Sequence, residues 1–169
     1  MREAERGGGA TMGDPAGSID LIDLAGTAGE RCVVRVTGRF EPGVLTGHDI
    51  LRATLIVSSD KVRDATTLFL LPSDLAEWQS ALDGGLGAGS TAVIAGDRGP
   101  GIELRVQRNR RVAVRVHETD RFDIVMKVPI RPEWVSDLRQ RLARVHQTWP
   151  REVLTSSPDV YEWSPDRQR

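Results

Sequence analysis

Three runs decide the fold: Ile102-Glu103-Leu104-Arg105-Val106-Gln107, Arg111-Val112-Ala113-Val114-Arg115-Val116-His117 and Phe122-Asp123-Ile124-Val125-Met126-Lys127-Val128. Their even positions are apolar throughout and their odd neighbours are mostly charged or polar, so each reads as a strand with one buried face. A turn centred on Asn109 sets Glu103 opposite Arg115 and Gln107 opposite Arg111, pairs that support an antiparallel register. Upstream, the same period of two recurs in Ile19–Leu24, in Cys32, Val34 and Val36, and in Leu51, Ala53, Leu55 and Val57. Thr66–Leu71 and Thr91–Ala95 are further short strands.

Two segments change period. Ser73 or Asp74 is placed to cap a helix on which Leu75, Trp78 and Leu82 share a face, with Gly84-Gly85 ending it. Pro129 and Pro132 stop the last strand, and Val135, Leu138, Leu142, Val145 and Trp149 then recur at helical spacing until Pro150. The pattern predicts an α+β fold: an antiparallel sheet of seven or eight strands and two amphipathic helices, the C-terminal one packing on the sheet. Residues 18–150 form the expected domain. Residues 151–169 are read as a tail packed in part through Tyr161 and Trp163, and residues 1–17 as a disordered extension. Codons for Glu5-Arg6-Gly7-Gly8-Gly9 can spell a ribosome-binding site, which places the expected translation start at Met12. No internal repeat is visible.

The 169 residues carry a formal net charge of −1, but the charge is segregated. Thirteen Lys/Arg against six Asp/Glu fall between Arg98 and Arg151. The single cysteine, Cys32, lies among valines and reads as a small buried hydrophobe, which fits a reducing compartment. No stretch approaches the ~20 apolar residues of a membrane span, and the N-terminus lacks a signal-peptide core. The expected location is cytoplasmic.

Candidate chemistry is sparse. One Cys and three scattered His give no metal-ligand spacing, and no nucleophile elbow or phosphate-binding loop occurs. Gly84–Ser90 precedes a strand and reads as a flexible connector. No catalytic, cofactor-binding or metal residue is therefore assigned, and no cofactor is expected. Two features stand out as candidate surfaces. Arg105, Arg108, Arg110, Arg111 and Arg115 share one hairpin, a basic stripe suited to an acidic protein surface and, without interleaved aromatics, poorly suited to single-stranded nucleic acid. The loop from Pro42 to Asp49 mixes turn and apolar residues with the ionisable pair His48 and Asp49, which makes it the ligand-facing alternative for a small-molecule binder or enzyme.

The order of Ile19–Leu24, Arg31–Val36, Pro42–Asp49, Leu71–Leu75, Gly96–Gly99, Trp149-Pro150 and Tyr161–Trp163 resembles a family of uncharacterised small proteins from high-GC bacteria. That resemblance implies no site residues. A further likeness, in the order strands, Asp74-led helix, meander and final helix, is to toxin-neutralising immunity proteins, and it implies a non-enzymatic partner-binding role. The chain departs from them in its Gly38–Gly47 loop and its Trp-containing tail.

Overall fold

The computed structural model describes residues 17–95 and 99–167. The expected disordered extension, apart from Gly17, and the start at Met12 fall outside them, as do Gly96, Asp97 and Arg98.

The chain runs β1 (Ile19–Ala25), β2 (Arg31–Arg39), β3 (Leu51–Ser58), β4 (Arg63–Leu70), α1 (Pro72–Asp83), β5 (Thr91–Ile94), β6 (Gly101–Val106), β7 (Arg111–Glu118), β8 (Phe122–Pro129), α2 (Trp134–Thr148), β9 (Val153–Ser157) and β10 (Val160–Trp163). All pairings are antiparallel. The expected single sheet of seven or eight strands is corrected: β1 to β4 form one meander, β5 to β8 a second, and β9 with β10 a separate hairpin. Alternation fixes which face of a strand is buried, but not which neighbour it pairs with. After β4 the chain enters a helix instead of a hairpin turn, and that break starts a new sheet.

The architecture is therefore a four-strand meander and helix, twice over. The two units are interlocked, because α1 packs on β5 and α2 packs on β1. The C-terminal helix thus packs on the first sheet's opening strand, within the apolar cluster it shares with the meander that precedes it. The stripe Trp134, Leu138, Leu142 and Val145 is buried there, with Trp134 taking the place expected of Val135. The inner residues of both sheets and both helices join in one apolar cluster, from Leu21 through Trp78 and Leu104 to Val145. At about 25 cal/mol per Å² of apolar surface buried, such a shared core is the dominant stabilising term for both units together.

Local chemistry explains the boundaries. Leu71 precedes α1 and has no polar side chain, so the cap is made from within: Asp74 accepts the Leu71 N–H at 2.7 Å, the reciprocal half of a capping box. Pro72 fills the first helical position, where its missing N–H costs nothing. Arg139 of α2 donates to the Leu82 carbonyl at the end of α1, at 2.5 Å, joining the helices where backbone acceptors are free. The glycine-rich stretch after α1 is held in place: Leu86 is buried, the Gly89 N–H donates to Val106 O and the Val106 N–H donates to Ser90 O. Cys32 is fully buried, and burial pushes its thiol up to about 12.

Candidate interaction surfaces

The β6–β7 hairpin carries the five arginines, and its register is the expected one, with Glu103 opposite Arg115 and the Gln107 N–H donating to Arg111 O at 2.8 Å. The outward side chains pair differently. Arg115 makes two hydrogen bonds to Asp123 of β8, at 2.9 and 2.6 Å, and these hold that carboxyl below its usual range. Glu103 instead accepts from Arg105 on its own strand at 3.2 Å. Both pairs are solvent-accessible, where such contacts contribute little to stability.

Arg108, Arg110 and Arg111 are exposed at the hairpin's end. Among the described residues, their side chains have no ion pair or hydrogen bond. Arg110 also sits at φ +56°, a left-handed conformation in which glycine or asparagine is the low-cost residue. Behind this end the outer face of the second sheet exposes Val93 (48%) and Val125 (60%). These flank Glu103 and Arg115 along one row across the strands.

The second candidate, the Pro42–Asp49 loop, joins β2 to β3 and lies under the C-terminal chain. His48 is 5% exposed. Its Nδ1 accepts the Gly43 N–H at 2.8 Å, so the ring proton sits on Nε2, which faces Glu152 Oε2 at 2.5 Å. Asp49 accepts the N–H groups of Glu152 and Val153 at 3.0 and 2.8 Å, and Arg39 donates to it at 3.0 Å. Arg39 also donates to the carbonyls of His48 and Pro150 at 3.0 and 2.7 Å. Trp163 stands edge-on to the His48 ring, centroids 5.0 Å apart, and the Arg167 guanidinium lies 3.8 Å over Trp163.

The loop pair thus stands in a buried polar cluster with Arg39 and Glu152, whose polar atoms are engaged within the chain. Sequence reading assigned a role to neither added member. Arg39 lies at the loop's edge, but Glu152 is 104 residues from His48, and no local pattern reports so distant a partner. Among the described residues, no group of three or more His, Cys, Asp or Glu stands close enough to hold a metal ion. No described helix is long and apolar enough to cross a membrane.

Residues 19–150 match DUF5959, a family of unknown function. The chain belongs to that family. No curated protein and no solved structure matches it. The DUF5959 match takes in the arginine hairpin and Arg39, His48 and Asp49, and it stops at residue 150, before the β9–β10 hairpin that packs over His48 and Asp49.

Proposed function

We propose that the chain is a non-enzymatic protein-interaction module whose β6–β7 hairpin docks on an acidic protein surface. The observation that carries this reading is the trio Arg108, Arg110 and Arg111, exposed together at one hairpin end with no partner among the described residues, while Arg105 and Arg115 on the same hairpin are paired. Three exposed guanidiniums raise encounter rates with a surface of opposite charge and offer planar, bidentate recognition of carboxylates. Keeping Arg110 at positive φ, where glycine is cheaper, fits a residue retained for recognition. The face behind the hairpin end mixes Val93 and Val125 with acids as well as bases, which suits a protein partner better than a phosphate backbone.

A one-to-one binder that covers an effector, in the manner of an immunity protein, is the finer form of this proposal, acting in a reducing, cytoplasmic setting that suits a buried lone thiol. The test is affinity capture from the native host with the wild-type chain and a chain carrying Arg108→Glu, Arg110→Glu and Arg111→Glu. The partner is then purified and its association rate measured against salt. Loss of the partner from the triple variant, with a steeply salt-dependent rate for the wild type, is expected. Equal recovery by both chains, or salt-dependent retention of DNA or RNA in place of a protein, overturns the reading.

A further inference from the structure

The β9–β10 hairpin is held to the body in an unusual way. None of its residues joins the shared apolar core, and among its nine strand residues only Val153 is buried. What fixes it is the polar set of Arg39, His48 and Asp49, with the edge-on Trp163. These groups read main-chain features at a bend: the Asp49 carboxylate accepts the N–H groups of Glu152 and Val153, which on an extended strand would point to opposite sides, and Arg39 donates to the Pro150 carbonyl two residues before Glu152. The side chain of Glu152 is read by His48, through Nε2 to its carboxylate, and by the nearby Arg39 guanidinium.

We infer that Arg39, His48 and Asp49 form a main-chain clamp for an acidic peptide that bends at its glutamate, a glutamate followed by an apolar residue, supplied by a partner protein. The chain's own segment from Pro150 to Val153 fills the clamp in cis as a displaceable occupant.

Three observations support displacement. The occupant fits incompletely, since a cleft of about 230 Å³ remains between Thr155 of β9 and Leu45, Thr46 and Leu71, and unfilled contact surface is forgone attraction. The open edge of β9 faces this side. The Ser164 N–H donates to Glu152 O and Val153 is paired with Trp163, so alternation turns the N–H groups of Val153 and Thr155 away from β10; the Val153 group is the one Asp49 takes. A two-stranded hairpin is also marginal by itself, so detaching it opens little other structure. The charges are complementary as well: Arg39 lies 3.7 Å from the Glu152 carboxylate, with both side chains largely buried.

The experiment uses the full chain and a fluorescent synthetic peptide with the sequence of residues 149–165. Anisotropy is measured for the wild-type chain, for Glu152→Gln and Trp163→Ala, which loosen the cis occupant by different contacts, and for Glu152→Gln combined with Asp49→Asn. Each loosened chain should capture the peptide about tenfold more tightly than the wild type, the effect of one weakened charge-assisted contact in an internal competitor. The double variant should lose that gain, and a peptide carrying the Glu152→Gln change should bind every chain more weakly. Equal capture by wild-type and both loosened chains, with their folds intact by circular dichroism, overturns the clamp. So does a concentration-dependent dimer of the wild-type chain that the peptide fails to dissociate, which would give the clamp to a second copy.

Discussion

Replacing Leu142 by alanine tests whether the two meander-and-helix units stand or fall together. Leu142 is 4% exposed and lies on the face of α2 that packs on β1, at the seam where the second unit's helix covers the first unit's sheet. The change removes three buried carbons, at about 0.8 kcal/mol each, or roughly 2.5 kcal/mol of transfer energy. The cavity left behind raises the cost to about 3–4 kcal/mol. For a chain of this size that lowers the melting temperature by roughly 10 °C. Because the core is shared, the loss should appear as one cooperative transition. Urea titration with pulsed hydrogen exchange, read on peptides from β2–β3 and from β6–β7, should give coincident midpoints that move down together with an unchanged m value. A loss below about 1 kcal/mol, or a β6–β7 midpoint that stays put while β2–β3 moves, would refute the argument that the exchanged helices make the units one cooperative body.

Two further perturbations test local claims. Cys32 should react with iodoacetamide at pH 8 only as fast as the whole protein opens, because burial holds its thiol far from the reactive thiolate; labelling at a free-thiol rate with the fold intact would contradict this. Asp74→Ala removes the acceptor for the Leu71 N–H and should cost about 1 kcal/mol in urea titration, whereas an unchanged midpoint would show that this cap contributes nothing.

Much of the fold was legible because it is written in local periods. Eight strands of the two meanders and both helices follow from alternation and from the spacings of Leu75, Trp78 and Leu82 and of Leu138, Leu142 and Val145. The pairing of Glu103 with Arg115 follows from one turn centre. The division into sheets was not legible, since β4 and β5 carry patterns that would suit neighbours in one sheet equally well. The β9–β10 hairpin escaped for a different reason: with only Val153 buried, it has no alternation to read. Of the candidate surfaces, the arginine hairpin was visible as composition. The cluster around His48 is closed by Glu152 and Val153, more than a hundred positions away, and such contacts leave no trace in any window of sequence. The repetition of meander and helix is likewise carried by topology, without a repeated sequence to announce it.

The exchange of helices also governs how the chain can be made. On the ribosome the first sheet emerges complete by Leu70, yet the helix that covers β1 is not finished until Thr148, and the Arg141 side chain that reaches the Asp20 carbonyl is 121 residues downstream of it. The opening strand must therefore wait, with its apolar side uncovered, for most of the protein to be synthesised. Contacts of such long separation slow folding and prolong the exposure of sticky intermediates. Nascent chains stalled before α2 should be the ones that recruit chaperones, and emergence of α2 should be the step that frees them.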